Sequence, residues 1–566
     1  MAHMTRIAEL LSRIYGPSKG QAAMARISDL LAAFIENPLS VHNIYPDEKE
    51  IVLITYGDTL HLADQNPLKT LRTFVHHHLL KAVSAIHFLP FFPYSSDDGF
   101  SVVDYVQIDP TLGSWKDIQA FTPEFRLMFD WVVNHVSAKS AWFDAYLSSQ
   151  PGFEHLAIEV DSTEDLSMVT RPRSLPLLTP FTKKNGHKVH LWTTFSQDQV
   201  DLNFKSIDVL LNMLRVMLIY VQNGADILRL DAIAYLWKEL GTACIHLPQT
   251  HMMVKLFRAI LDIVAPHVIL ITETNVPHEE NISYFGDDGV EAQLVYNFPL
   301  PPLLLHCFFT GDARPLNQWA KTLNLPDPRT AFLNFTASHD GIGVRPLEGI
   351  VAPHDIEHLI QVVKANGGAI SYKQNPDGSQ SPYELNITYV DALREGDSGG
   401  DNLHARRFLA SQAIALALPG VPAIYIHSLL GSRNWAEGVR LTGRARSINR
   451  EKLDLIQLKA EIENPGTFRS RIFAAYKQMM KVRRNQPAFH PKAAFEILNK
   501  AKQVFAIARY ADEQSLLALT NITSDHVVVD AGELGAGASR DLITNRIYPS
   551  GKVLLAPYGI LWLTPV

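Results

Sequence analysis

The chain has 566 residues, of which 47% are hydrophobic and only 19% are charged, and 51 Lys+Arg against 58 Asp+Glu give a net charge of −7. This composition is typical of a globular protein with ample material for buried cores. Mild acidity without basic runs argues against nucleic acid or an anionic membrane as a partner. Two cysteines, Cys244 and Cys307, are too few for a disulfide framework and favour a reducing compartment. Because no signal-peptide pattern or long apolar segment is present, we expect a cytoplasmic protein.

Residues 1–50 carry two amphipathic patterns separated by a Gly-Pro break, which predict an N-terminal helical extension. Eight short apolar segments follow, and segments of helical period lie between most of them. Near-continuous apolar runs that alternate with helices are typical of parallel strands covered on both faces. The predicted strands are 51–56, 85–92, 127–133, 226–230, 268–272, 294–298, 331–335 and 421–426. They predict an α/β fold, a (β/α)8 TIM barrel formed by residues 51–135, 204–340 and 400–493.

Two connections are far too long to be simple loops. Residues 136–203 and 341–399 contain scattered Gly, Pro, Asn and Asp. Structureless loops of such length are uncommon, so each of the two predicts a subdomain or a functional lid on the barrel rim. The pattern changes again beyond residue 493 to short alternating runs, which predict a C-terminal β domain over 494–566.

Polar residues follow four of the predicted strands at their carboxyl ends, where barrel enzymes carry their catalytic groups. The segments are Asp130 to His135 after the third strand, Arg229 to Asp231 at the fourth, Glu273 to Asn275 after the fifth, and His339-Asp340 after the seventh. Each pair or triplet alone is a weak signal. Four of them at the right strand ends and in the right order predict an active site.

The spacing within these segments indicates glycoside chemistry. Arg229 and Asp231 are two residues apart, so their side chains point the same way, and the cation is expected to keep Asp231 ionised with a lowered pKa. Glu273 ends the next strand and is predicted to lie close to Asp231. Two close carboxyls, one attacking the anomeric carbon and the other moving the proton, are the arrangement of retaining enzymes. Asp340 supplies a third acid for a positively charged transition state.

These four segments resemble the signature regions of the α-amylase superfamily (glycoside hydrolase family 13), and the likeness extends from Ile51 to the C-terminus. The chain is more similar still to the sucrose phosphorylase-like branch. The segments that carry this narrower resemblance are Leu89 to Ser101, Arg171-Pro-Arg173-x-Leu-Pro, Leu300 to His306, Ser338-His-Asp-Gly-Ile-Gly343 and Ile448-Asn-Arg450. Several of them are long and idiosyncratic, which excludes coincidence.

The resemblance implies a role for each matched residue. Asp231 is then the nucleophile, Glu273 the general acid/base and Asp340 the stabiliser of the transition state. A single glucosyl unit is enclosed by Asp97, Phe100, His135, Arg229, His339 and Arg446. Phosphate is bound by Arg173 with Tyr383 as its partner, and bidentate guanidinium geometry suits phosphate oxygens. The leaving-group side is assigned to Phe195, Gln199, Tyr235, Asn275, Lys373 and Glu384, and the second insertion, 341–399, is expected to carry the acceptor and phosphate loop.

The implied reaction is reversible phosphorolysis of a small α-glucoside to α-D-glucose 1-phosphate, with phosphate as co-substrate and no cofactor. The loop 373–384 and Asn275 are more similar to enzymes acting on glucosides of glycerol or glycerate than to those cleaving sucrose. Glycerate requires a dedicated cation, and Lys373 is the only one in that loop, beside Asp377 and Glu384. The sequence therefore favours 2-O-α-glucosylglycerol, with glucosylglycerate and sucrose as alternatives.

More distant alternatives are an α-glucosidase or transglucosidase and a non-catalytic amylase-like binding subunit. The subunit is disfavoured because all three acids are present and no anchor is found. Asp130 and Asn134 raise the question of a calcium site, but we expect both to brace the third strand, so no metal is predicted. The sequence leaves a homodimer open.

Overall fold

The computed structural model describes residues 2–35, 46–375, 377–396, 400–535 and 537–566. Eight parallel strands, numbered β1–β8 in chain order, close into a barrel in which sequence neighbours pair and β8 pairs with β1. The strands are Val52–Thr55, Ala85–Phe88, Arg126–Trp131, Ala225–Leu230, Ile269–Thr272, Leu294–Tyr296, Ala331–Phe335 and Val421–Tyr425. Each overlaps its predicted segment, so the predicted (β/α)8 barrel is confirmed.

Helices cover the outside of the barrel, which explains why almost every residue of the strands is buried. The first of these helices begins at a helix-capping sequence. The Asn66 side chain accepts a hydrogen bond from the Lys69 backbone N–H, and Pro67 occupies the first helical position. The helices between and after the strands are Pro67–Leu79, Trp115–Gln119, Ile207–Gln222, Pro248–Val264, His278–Ile282, Leu300–Thr310, Arg314–Ala320, Gly400–Ala417, Ile426–Leu429, Ala436–Thr442, Leu455–Glu463 and Phe468–Arg483.

The N-terminal extension is helical, as predicted, over Ala2–Tyr15 and Pro17–Ile35. The rest of the predicted extension includes residues 36–45, which lie outside the described part of the chain. The first helix packs on Pro248–Val264 and contributes Ile7 and Leu11 to the core that also contains the barrel. Tyr15 donates a hydrogen bond to the Phe204 carbonyl at 2.9 Å. The extension is therefore packed against the barrel.

The two insertions follow the carboxyl ends of β3 and β7, so both lie on the same rim of the barrel. The first contains helix Ala141–Leu147 and two antiparallel strand pairs, His135–Ser137 with Gln199–Asp201 and Leu178–Thr182 with Lys188–Trp192. The second contains helices Pro353–Ala365 and Tyr389–Ala392 and a sheet of Ile342–Gly343, Gln380–Asn386 and Ala369–Gln374.

The C-terminal region forms an antiparallel sheet with its own hydrophobic cluster, as the alternating runs predicted. In sheet order its six strands are Ala494–Ile497, Val504–Ala511, Gln514–Asn521, Ile560–Pro565, Ser539–Asp541 and Ile547–Tyr548. A separate pair joins Val527–Asp530 to Lys552–Leu555. Across the described residues, no helix is both long and apolar enough to cross a membrane.

Candidate active site

One cavity at the carboxyl ends of the barrel strands is lined by Asp231, Glu273 and Asp340, and we call it the acid cavity. It brings together residues that are far apart in sequence. Its walls include, among the predicted site residues, Asp97, Phe100, His135, Arg173, Phe195, Gln199, Arg229, Tyr235, Asn275, His339, Tyr383, Glu384 and Arg446. Lys373 is the exception, because it lines a neighbouring cavity that shares Tyr235 and Tyr383 with the first.

A single buried guanidinium lies between the two central acids. Arg229 Nη1 is 2.8 Å from Asp231 Oδ1, and Arg229 Nη2 is 4.0 Å from Glu273 Oε2. Arg229 also pairs with Asp130 at the end of β3. Glu273 Oε2 accepts the Ala232 backbone N–H at 3.0 Å. Because β4 and β5 are hydrogen-bonded neighbours, their carboxyl ends place both carboxyl groups on one cation.

The charge state of this pair differs from the sequence prediction. Burial raises the pKa of Asp231 and that of Glu273, each to about 7; Arg229 opposes both shifts and the neighbouring carboxylates add to them. The prediction of a lowered pKa for Asp231 is wrong, because Arg229 is shared among three acids and cannot outweigh burial. The two groups titrate as a pair. Asp231 lies closer to the cation, and this geometry favours the ionised form of Asp231 over that of Glu273, as a nucleophile beside a general acid requires.

Asp340 stays ionised for a different reason. Burial raises its pKa, but Arg446 and His339, followed by more distant arginines, outweigh burial and hold that pKa below its ordinary value. Arg446 Nη1 lies 2.7 Å from Asp340 Oδ1, and His339 Nε2 lies 3.4 Å from Asp340 Oδ2. A fixed anion of this kind favours a positively charged transition state.

Glu384 lines the acid cavity with a carboxylate that is paired with two arginines. Arg446 donates to Glu384 through Nη2 at 2.6 Å and Nε at 3.1 Å, and Arg173 Nη1 lies 3.8 Å away. The antiparallel register sets this position, because Glu384 pairs with Gly343 just beyond Asp340. The acceptor contact predicted for Glu384 stays a prediction, and the structure adds that its carboxylate also holds two arginines of the site.

The residues predicted to bind the glucosyl donor, among them Asp97, Phe100, His135 and His339, line the cavity together. The Phe100 ring stacks on the His339 ring, with centroids 4.7 Å apart and planes 8° apart. Gln199 Nε2 donates to Asp97 Oδ2 at 3.3 Å and lies 3.2 Å from His135 Nε2. Gln199, predicted as an acceptor contact, thus lies among the donor residues, because the strand pairing of 135–137 with 199–201 brings it there.

Asn275 lies on the acceptor side with an unsatisfied polar atom. Its Oδ1 is buried and has no hydrogen-bond partner among the described residues. A Cβ on residue 343 would lie 2.5 Å from that atom, so only glycine leaves Asn275 its place. Phe195 and Tyr235 meet edge to face beside it, with centroids 5.6 Å apart. A buried amide oxygen without a partner fits a hydroxyl of the leaving group.

Asp198 supports the site from outside the cavity, and no pattern in the sequence pointed to it. Its Oδ2 accepts hydroxyl protons from Ser95 at 2.6 Å and Ser101 at 2.7 Å, and also from Ser96. These serines flank Asp97 and Asp98, whose φ angles of 55° and 48° are left-handed and strained for residues with a Cβ. The carboxylate therefore fastens the strained turn that presents Asp97 and Phe100 to the cavity.

We expect Asp198→Ala to lower kcat/KM by about 10²-fold, mainly by raising KM, because the donor residues lose their fixed position. Steady-state kinetics with glucose 1-phosphate as the varied substrate measures this effect. Asp161→Ala is the control, since that carboxylate is exposed in the same insertion and bonds only to Thr163. Equal kinetics for the two variants would contradict the role given to Asp198.

A lysine side chain lies beside Asn134, one of the two residues for which a calcium site was considered. Lys238 Nζ is 2.7 Å from Asn134 Oδ1 and 2.5 Å from Asp201 Oδ2, and all three side chains are buried. Asp130 accepts from Arg229 and lies 2.8 Å from His87 Nε2. No group of three or more His, Cys, Asp or Glu side chains suited to a metal ion occurs in the described ranges. Protein cations occupy the oxygens of Asp130 and Asn134, which supports their predicted bracing role.

A closed barrel with three acids and a shared arginine at its carboxyl end defines a retaining enzyme class that works on glycosides. The family model of the α-amylase catalytic domain matches residues 80–322. The glucosylglycerate phosphorylase of Spirochaeta thermophila is 45% identical, with 100% of this chain and 99% of that protein covered. The glucosylglycerol phosphorylase of Marinobacter adhaerens is 29% identical, over 78% of this chain and 88% of that protein.

The same branch provides a structural likeness. The crystal structure of sucrose 6F-phosphate phosphorylase from Thermoanaerobacter thermosaccharolyticum superposes with a TM-score of 0.74 at 25% identity, over 85% of this chain and 96% of that one. The chain belongs to the α-amylase family, in its sucrose phosphorylase-like branch. It is an α-glucoside phosphorylase, as the sequence motifs indicated.

Proposed function

We propose that this enzyme catalyses the reversible phosphorolysis of an α-glucoside of glycerate, giving α-D-glucose 1-phosphate and glycerate. The observation that carries the retaining mechanism is the shared guanidinium of Arg229, which holds Asp231 and Glu273 in one cavity. The choice of glycerate rests on the relative with 45% identity over the whole chain, which bears the name glucosylglycerate phosphorylase.

The mechanism consists of two displacements at the anomeric carbon. The Asp231 carboxylate attacks that carbon, the bond to the glycosidic oxygen breaks, and Glu273 donates its proton to the departing oxygen of glycerate. A phosphate oxygen then attacks the same carbon, the bond to Asp231 breaks, and Glu273 takes up the proton of phosphate. Asp340 stabilises the positive charge that develops on the ring in both steps.

Arg173 is the proposed phosphate ligand. Its guanidinium lies over the Tyr383 ring, 5.7 Å from the centroid, and within the described residues its side chain meets only one carboxylate, Glu384 at 3.8 Å. Donors therefore remain free on the cavity side, and bidentate guanidinium geometry suits phosphate. Neither a cofactor nor a metal ion enters this proposal, because each step uses a side chain of the acid cavity and the co-substrate phosphate.

An acceptor panel tests the proposed function. The wild-type enzyme is incubated with glucose 1-phosphate and D-glycerate, glycerol or fructose, and the released phosphate is measured. We expect glycerate to give a kcat/KM at least about tenfold above that of glycerol, because a carboxylate ligand adds a charged interaction. A higher value for glycerol would restore the acceptor that the sequence favoured. Release of glucose at the same rate with and without an acceptor would instead identify a hydrolase.

A further inference from the structure

A second cavity of about 230 Å³ adjoins the acid cavity on its acceptor side. It lies between residues 166–172 of the first insertion and residues 373–375 of the second, with Arg345 beside them. Tyr235 and Tyr383 line both cavities, so these two side chains are where the cavities meet. We call it the cationic cavity, because of the side chains described below.

Three cations line the cationic cavity without an acidic partner. No Asp or Glu carboxylate within the described ranges lies within 4.0 Å of Arg171, Arg345 or Lys373. The Nε atoms of Arg171 and Arg345 are buried and bind no acceptor. Burial, and next the charge of Arg345, lower the pKa of the Lys373 ammonium, and the charge of Glu348 opposes them from beyond ion-pair distance. Partly buried cations that form no ion pair are costly, and an anionic ligand removes that cost.

Lys373 is the only cation within the loop 373–384, and the fold brings a second cation, Arg345, beside it. Arg345 belongs to the segment that follows Asp340, so its position near the loop is not apparent from the sequence. The short strand Ile342–Gly343 pairs with Gln380–Asn386, and this pairing carries the next residues towards the loop. Arg345 also acts on Tyr235 of the acid cavity: burial raises the pKa of that phenol to about 12, and the charge of Arg345 opposes the rise.

We propose that the cationic cavity binds the carboxylate of glycerate, with Arg345 and Lys373 as its direct ligands. This inference rests on the proposed function and names the residues that select its acceptor. In a 2-O-glucoside of glycerate the carboxylate is attached to the carbon that bears the glycosidic oxygen. It must therefore lie close to the oxygen that Glu273 protonates, and in this proposal it lies beside Tyr235 and Tyr383, which line both cavities.

Phosphate is the other anion of the reaction, and its position is different. Its oxygen must reach the anomeric carbon itself, and Arg173 is the cation that lines the acid cavity on that side. Arg345 and Lys373 line only the cationic cavity. The two anions therefore have separate cations, which allows the variants below to distinguish them.

The test compares Arg345→Gln, Lys373→Gln and the double variant with the wild-type enzyme. In the synthetic direction, KM for D-glycerate should rise about 10- to 100-fold for each cation removed, as expected for hydrogen bonds to a charged group. KM and kcat for glycerol should not change. In the phosphorolytic direction, KM for phosphate should not change. Arg345→Lys keeps the charge and should restore much of the affinity for glycerate.

Lys364→Gln is the matched control, because this lysine is exposed on helix Pro353–Ala365 of the same insertion. It should behave like the wild-type enzyme with every substrate. Equal losses with glycerate and glycerol would overturn the inference, because they indicate a structural effect. A raised KM for phosphate with an unchanged KM for glycerate would assign the cavity to phosphate and overturn it too. If the wild-type enzyme does not use glycerate at all, the proposed function itself fails, whatever the variants do.

Discussion

Asp231→Asn should lower kcat for phosphorolysis by about 10⁴-fold or more, as is usual when a covalent nucleophile is removed. The amide keeps the size of the side chain and can still accept from Arg229 Nη1, which is 2.8 Å from the present Oδ1. The cavity should therefore persist while the attacking oxygen is lost. Single-turnover kinetics and mass spectrometry of the glucosyl-enzyme measure the effect, and no covalent species should form.

Asp226→Asn is the control for this variant. Asp226 is a buried carboxylate on the same strand, β4, but near its amino end, where Oδ2 accepts the Leu127 N–H at 2.9 Å. Residues at that end of a barrel contribute to stability and not to catalysis. Its kcat should stay close to that of the wild-type enzyme. An Asp231→Asn variant that still forms the glucosyl-enzyme would remove Asp231 from the mechanism.

Glu273→Gln should lower kcat/KM for natural glucosides by about 10²- to 10⁴-fold, the usual contribution of a general acid. Glutamine cannot protonate the departing oxygen of glycerate. α-Glucosyl fluoride needs no such proton, because fluoride departs as an anion, so formation of the glucosyl-enzyme from this donor should be retained. Glu279→Gln, an exposed carboxylate six residues further along the chain, should leave both donors unaffected.

The pH dependence of kcat/KM for the glucoside follows from the pKa of Glu273. Burial raises the pKa of Glu273 to about 7, and the charges of Asp231 and Asp340 add to the shift. The protonated form is the active acid, so kcat/KM for the glucoside should be highest below this pKa and fall as pH rises through it. The acidic limb reports protonation of the coupled Asp231. With α-glucosyl fluoride the Glu273→Gln variant should lose the alkaline limb, and a persistent limb would assign the acid to another group.

Some residues of the site could be predicted from the sequence and others could not. Asp231, Glu273 and Asp340 could be predicted because each follows an apolar run of strand length, and strand ends of a parallel barrel meet at one rim. Asp198 could not be predicted, because its serine partners are about a hundred residues away and only the tertiary structure brings them to it. Lys238 likewise meets Asn134 across 104 residues.

Glu384 and Gln199 show the same limit, because their hydrogen-bond partners are remote in the sequence. Arg446 donates to Glu384 across 62 residues, and Gln199 donates to Asp97 across 102 residues. Side chains in insertions have no period that reveals their direction. Their partners are set by the antiparallel pairings of the two insertions.

The sequence by itself determined the barrel, its eight strands and the order of the three acids, because burial patterns and strand ends are local signals. The mild net charge also gave no indication of a polyanionic partner. Only the tertiary structure decided the raised pKa values of Asp231 and Glu273 and the position of Arg345 beside Lys373. Both depend on Coulomb interactions that act through space over a few ångströms. Arg229 acts on three acids, and Arg345 lies beside Lys373, because the folded chain places them there.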